Sequence, residues 1–337
     1  MSGNLFCSLI SFLRQLILGD ELKVMLRYIL TRIVGLIGVL IIVSVLTFAL
    51  MHTVPGGPFD ARALEKQQMI PEAIKQQLNE KYGLNEPVWK QYLLFVKNAA
   101  LLDFGYSMTY PSRTVTSIFR QQWIYSLELG LLTLVFSTIV GVGLGILAAV
   151  KPNSIFDYFG TSVSILCLVV PSFVFAILLQ VIFSVWLGWL PTGGWRTPWH
   201  WIMPTLANSL APILVLQRHT RASMQDAMKA NYVRTARAKG LSKLRILFVH
   251  VFKNALIPIL TVGGPLAAGL IVGSFFVESI FRIPGIGFYF VTAIGTRDYP
   301  MIMATTMIWT LIISVAYLLT DLLYALVDPR VSLVKEE

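Results

Sequence analysis

The sequence predicts an all-α, polytopic membrane protein with six transmembrane helices. Three observations carry that prediction. Hydrophobic residues make up 56% of the 337 residues, charged residues only 13%, and the mean hydropathy is +0.71; soluble domains carry about 25% charged residues. Apolar runs long enough for a hydrocarbon core of about 30 Å recur along the chain. Between two of them lies a basic stretch, Arg218 to Lys253, with nine Lys/Arg against one acid, Asp226. Such an excess marks a cytoplasmic loop. The same rule accounts for the net charge of +10, and no nucleic-acid motif accompanies it, so nucleic acid is not an expected partner.

Residues 1–24 form an N-terminal extension in which Leu5, Phe6, Leu9, Ile10, Leu13, Leu16 and Ile17 share a helical face. It reads either as an interfacial helix or as an over-extended start, because Met25-Leu-Arg-Tyr28 begins a second plausible N-terminus. The first span covers about Ile33 to Val54, with Arg27 and Arg32 placing its start inside. Together with the long outside segment it makes up a region 25–122. In residues 55–122 eight Lys/Arg are nearly balanced by six acids. Two helices are expected there, one from Pro71 to Gly83, with Pro at its first position and Gly past its end, and one from Pro87 to Lys97.

Residues 123–327 hold five further spans. The second, Ser126 to Val150, carries Gly141, Gly143 and Gly145, which permit close helix contact. The third, Gly160 to Val185, is interrupted by Pro171. A Trp-rich loop, Trp186 to Trp201, lies outside. The fourth span is Ile202 to Thr220, the fifth Leu256 to Phe276 and the sixth Met301 to Val327, leaving a tail at 328–337. Six spans put both termini in the cytoplasm. Prolines and glycines within spans three to five favour a pathway over a simple anchor, because freed backbone groups need protein or a water-filled cavity around them.

The basic loop, 221–256, reads as helix, break, helix. Tyr232, Val233 and Ala236 share a face. Gly240 suits a left-handed helix end, and Ser242 suits an N-cap for the helix that repeats Leu244, Leu247, Phe248, Val251 and Phe252. The alternative is a solvated loop without a partner. That explains the charge but not the capped hairpin, nor the small residues Thr235, Ala236 and Ala238 beside the break. A docking surface for a soluble partner is the better reading.

Catalytic chemistry is not expected. No Gly-Lys dipeptide occurs, hence no P-loop, and there is no His-Glu-x-x-His or Cys-x-x-Cys. Cys7 and Cys167 have no ligand spacing and read as packing residues. Glu128, Glu278 and Asp321 sit in or near spans and are candidate gating or pathway groups, with Pro171. The alternative for each acid is an interface position or a packed partner, since none lies at a span centre.

Tyr232-Val-Arg-Thr-Ala-Arg-Ala-Lys-Gly-Leu241 resembles the cytoplasmic loop motif of binding-protein-dependent ABC importer permeases. Ala236 and Gly240 match that motif, whereas Arg234 stands at its Glu and Thr235 at its first Ala. The departures resemble the dipeptide/oligopeptide branch. So do His52-Thr-Val-Pro-Gly-Gly-Pro58, Tyr82-Gly-Leu-Asn-Glu-Pro-Val-Trp89, Asp103-Phe-Gly-Tyr-Ser107, Arg297-Asp-Tyr-Pro300 and Asp328-Pro-Arg330. Leu190-Pro-Thr-Gly-Gly-Trp195 and Gly264-Pro265 look most like the oligopeptide B-type subunit.

The resemblance covers about Met25 to Leu333 and implies the MetI-like architecture of type I ABC importer permeases, in the cytoplasmic (inner) membrane. It implies a second permease, two ATPase subunits that hold ATP and Mg, an extracytoplasmic binding protein and a peptide substrate. This chain itself would bind no cofactor and would not be an enzyme. Residues Tyr232, Val233, Arg234, Thr235, Ala236, Arg237, Ala238, Lys239, Gly240 and Leu241 would form the coupling helix. Tyr232 and Ala236 would meet the ATPase, and Arg237 and Lys239 would support docking electrostatically. The rivals are an ion-coupled carrier, a structural or assembly protein, and a permease of the same family for nickel, glutathione or a sugar.

Overall fold

The computed structural model describes residues 20–53, 76, 80 and 82–327. Regular structure among them is helical, apart from one isolated antiparallel bridge between Tyr106 and Thr114. Most of the Pro71–Gly83 segment, residues 1–19 and the tail from 328 lie outside the described residues.

Helix α1, Asp20–Thr53, runs unbroken through Met25, so residues 20–24 continue the first-span helix. Much of its apolar surface is exposed, including Val34, Ile42, Leu46 and Leu50. It leans on the last helix, and the Tyr299 hydroxyl donates to the Met51 carbonyl at 3.3 Å. Helix α2, Val88–Ala100, follows Pro87 and hydrogen-bonds back to α1 through Tyr92 and Ser44, 2.9 Å apart.

Helix α3, Val115–Val150, starts well before the expected Ser126. Thr114 caps it by accepting from the Ser117 amide at 3.2 Å. Its first turns bury Val115, Ile118 and Phe119, so packing extends the helix beyond the uniformly apolar run. The third span breaks where Pro171 predicts. Helix α4, Ile155–Val169, ends just before it, and α5, Ser172–Leu179, starts after it, widening into a π-helical stretch at Gln180–Trp186. Proline lacks the amide donor and drives the preceding residue out of helical geometry.

The fourth span is also two helices, α6, Trp199–Asn208, and α7, Leu210–Lys229, meeting at Ser209. Helix α8, Asn231–Ala238, follows at once. The chain returns through α9, Lys243–Arg245, a π-helical stretch at Ile246–Phe252, and α10, Lys253–Ile271. Short helices α11, Phe275–Ile280, and α12, Ile286–Thr296, fold part of the expected outside loop back into the structure. Helix α13, Tyr299–Val327, closes the described chain.

Among the described residues, four segments are each long and apolar enough to cross a membrane: Arg27–Thr53, Val115–Val150, Lys243–Ile280 and Tyr299–Thr320. The two broken spans, α4 with α5 and α6 with α7, are compatible with six crossings in all. The chain is a multi-pass membrane protein.

Helices α3 and α7 make the most extensive pairing. A Cβ on Gly145 would lie 2.5 Å from Thr220 Cβ and 2.8 Å from the Gln217 carbonyl oxygen, and one on Gly141 would lie 2.9 Å from Leu216 Cβ. Gly143, expected to share that role, has open space instead. Glycines four apart bring the two backbones together, and the position between them faces elsewhere.

Candidate functional site

The basic hairpin is built on a local stop signal. The Leu241 amide donates to the Ala236 carbonyl at 3.3 Å, and the Gly240 amide to the Arg237 carbonyl at 2.9 Å. This pair of bonds is the Schellman arrangement, which needs a left-handed residue, and Gly240 supplies it at φ +74. Ser242 then accepts from the Arg245 amide at 3.4 Å and starts α9. Two helix ends are thus satisfied within three residues.

Val233 and Ala236 are 1% and 5% exposed, packed in a cluster with Met224, Ile246, Val251 and Ala255. Leu241 lies against the same cluster. This corrects the expectation that Ala236 meets a partner beside Tyr232. An inward face of Val233 and Ala236 is what fixes α8 to this chain. The residues left at the surface are Tyr232, Arg234, Thr235, Arg237, Ala238, Lys239 and Gly240. With Lys243 and Arg245, also exposed, the outward face is strongly cationic.

The span-associated residues separate. Pro171 is exposed at the break between α4 and α5. Glu128 is exposed on α3 and accepts from the Trp195 indole at 2.7 Å, which pins the Trp-rich loop. Asp321 lies on the last turns of α13, and its side chain is outside the described residues.

Glu278 is fully buried. Its carboxylate accepts from the Ser274 amide at 3.0 Å and the Phe288 amide at 3.3 Å. Ser126 on α3 stands beside it and accepts from the Ile286 amide at 2.9 Å. A Cβ on Gly285 would fall 2.3 Å from Glu278 Oε2. The carboxylate therefore ties α3, α11 and α12 together in a closed site. Within the described residues its carboxylate is enclosed by these packed partners.

Two further acids, Asp157 and Asp298, are given no role by the sequence alone. Asp157, at the start of α4, accepts two hydrogen bonds from the Arg221 guanidinium, 2.7 and 2.9 Å long, and one from the Asn153 amide at 3.0 Å. The guanidinium holds the Asp157 carboxyl below its ordinary range, against the opposing effect of burial. Asp298, before α13, is 1% exposed and accepts from the Ser107 hydroxyl, the Thr109 amide at 2.9 Å and the Met301 amide at 3.2 Å. It joins the segment after α2 to the last helix. Its neighbours in sequence, Arg297 and Tyr299, had drawn attention to the region without indicating this partner.

Several apolar helices of membrane-crossing type, closed by internal polar clasps and carrying an outward basic hairpin, define a polytopic membrane protein. The chain belongs to the family of binding-protein-dependent transport system inner membrane components, whose model matches residues 141–333, with the N-terminal model for such components matching residues 25–109. That family is a membrane transport component, not a catalytic enzyme. The chain is similar to the dipeptide transport system permease protein DppB of Bacillus subtilis, 38% identical over 312 residues, covering 93% of this chain and 100% of the relative. It is 40% identical to the protein of the same name from Lactococcus lactis subsp. cremoris over 309 residues, 92% of this chain and 100% of the relative. The oligopeptide transport system permease protein OppB of Haemophilus influenzae is 37% identical over 309 residues, 91% and 99%.

Proposed function

We propose that this chain is one transmembrane half of an ATP-driven importer of dipeptides or oligopeptides. The observation that carries the reading is α8. Its apolar face is locked into the chain's own core, and Tyr232, Arg234, Arg237 and Lys239 are presented outward. A helix held that way passes a push on its outer face to α7 and α10. The names of the relatives, dipeptide and oligopeptide permeases, support the substrate class.

The partners are a second permease, two ATPase subunits that bind ATP and Mg, and an external binding protein that delivers the peptide. Tyr232 to Leu241 act as the coupling segment, with Val233, Ala236 and Leu241 as its anchor and the exposed residues as its contact surface. Closure of the ATPases around ATP then biases the spans toward the outward-open state, and hydrolysis resets them. Both termini face the cytoplasm, the side of the basic hairpin.

The test is to purify the complex through a tag on this chain, identify the ATPase chains that accompany it, and measure peptide-stimulated ATP hydrolysis and uptake in vesicles. Changing Tyr232→Ala and Arg237→Glu together should abolish stimulated hydrolysis while the chain still folds. Gradient-driven peptide uptake by this chain alone would sink the reading and favour an ion-coupled carrier.

A further inference from the structure

A cavity of 690 Å³ opens between α4 and α7, lined by Thr161 and Ile165 on one side and by Leu214, Val215, Arg218, His219, Arg221 and others on the opposite side. Neither the docking hairpin nor the polar clasps use it, apart from Arg221. Three cationic or donor side chains meet apolar ones at its mouth. Arg218 and His219 are exposed and, among the described residues, have no hydrogen-bond or ion-pair partner. Arg221 is held in place by Asp157, with its side chain still 35% exposed. A fixed guanidinium loses little freedom when it takes a second anion.

The level of this cavity in the membrane follows from packing. Gly145, near the inner end of α3, abuts Thr220 and Gln217, and Gly160 of α4 lies against Gln217. Arg218 to Arg221 thus sit within about one and a half turns of the ends of α3 and α4. On α4, Ile155, Tyr158 and Phe159 are 78%, 65% and 60% exposed. Exposed aromatic residues at a helix end mark the headgroup level of a bilayer. Basic side chains at that level, above an apolar wall of Ile165, Leu214 and Val215, match a phosphate with acyl chains beneath it.

We propose that the groove between α4 and α7 binds an anionic phospholipid of the inner leaflet. Arg218 and His219 contact the phosphate, the clamped Arg221 supports them, and the acyl chains lie along Ile165 and Val215. A basic face that is merely solvated needs neither a groove nor an apolar wall. The site is independent of which substrate the importer carries.

The test uses the full chain in neutral detergent, loaded with equal amounts of phosphatidylglycerol and phosphatidylcholine and examined by native mass spectrometry. The wild type should retain phosphatidylglycerol preferentially, by about fivefold for each basic side chain engaged. The double variant Arg218→Gln/His219→Gln should lose that preference, and Arg218→Lys should keep most of it. Arg234→Gln/Arg237→Gln, which removes at least as much charge from the docking hairpin, should leave it intact. Equal retention of both lipids by the wild type overturns the proposal whatever the variants do. So does a preference that follows the hairpin charges, or one abolished by millimolar inorganic phosphate or by excess peptide, which would assign the groove to a free anion or to the transported substrate.

Discussion

Arg221 holds Asp157 by two parallel hydrogen bonds, 2.7 and 2.9 Å long, across 64 residues of sequence. The pair fastens the start of α4 to α7. Removing the carboxylate leaves a guanidinium without its partner, and charge-assisted bonds of this kind contribute about 1.5–3 kcal/mol. Asp157→Ala should lower stability toward the bottom of that range, because Arg221 stays partly hydrated. The folded-state pKa lies below the unfolded one. The contribution is therefore complete above the unfolded pKa and is lost as pH falls through the folded value. Thermal unfolding at pH 7 and pH 5 should show the same wild-type-to-variant difference, and the difference should shrink only in stronger acid.

Gly285→Ala should be more damaging than an alanine substitution usually is. The new Cβ would press on Glu278 Oε2 and lie 2.5 Å from Ser126 Oγ. Nothing there is solvent, so either the carboxylate loses bonds or α12 shifts. A loss of about 1–3 kcal/mol is expected. Glu278→Ala should cost at least as much, by leaving the Ser274 and Phe288 amides unpaired. Unfolding of both variants in lipid nanodiscs would check the order. Stability equal to wild type in Gly285→Ala would contradict the packing described.

Asp298→Ala should release the segment from Phe104 to Tyr110 while leaving the spans folded. Loss of the bonds to Ser107 and Thr109 removes about 2 kcal/mol of local stabilisation, or roughly 30-fold in local opening. Amide hydrogen exchange read at residues 104–110 is the measurement. Unchanged exchange there would mean that the apolar contacts of Phe104 and Met108 hold the segment unaided.

Neighbouring alanines on α8 should behave oppositely. Ala236→Leu forces a larger side chain into a filled cluster and should destabilise the chain by about 1–3 kcal/mol. Ala238→Leu faces outward and should leave stability within about 0.5 kcal/mol, while reducing assembly with the proposed ATPase partner. Comparing melting temperature with co-purified ATPase separates the two effects.

Gly240→Val should misdirect the hairpin. At φ +74 a β-branched residue is strongly disfavoured, by about 1–2 kcal/mol for the left-handed conformation alone. The open space around Gly240 means that the cost is conformational, not steric crowding by neighbours. Reduced coupling of ATP hydrolysis to uptake, with the complex still assembled, is the expected result.

What the sequence made legible was local. Pro171 announced its own helix break, Gly240 its left-handed turn and Ser242 its cap, because each acts on residues within one helical turn. The inward role of Ala236 was harder. Tyr232, Val233 and Ala236 lie within one arc of α8, and only the position of the returning helix decides which of them is covered. The clasps of Asp157, Glu278 and Asp298 were not legible as clasps. Their partners lie on other helices, and a buried acid with distant donors looks in sequence like an acid on a pathway. The apolar run also misjudged α3, whose first turns are less uniformly hydrophobic and are held by packing and by the Thr114 cap.

Gly141 and Gly145 give the molecule a mechanical property. They let the backbone of α3 press directly on α7, so a side chain at either position would force the pair apart. Helix α3 has 36 residues, a rod of about 54 Å. A displacement of the lower part of α7 would therefore be expected to carry α3 with it along that length. Helix α6, beyond the joint at Ser209, is tied to the same rod, because the Asn208 side-chain amide donates to the Thr133 hydroxyl at 3.3 Å.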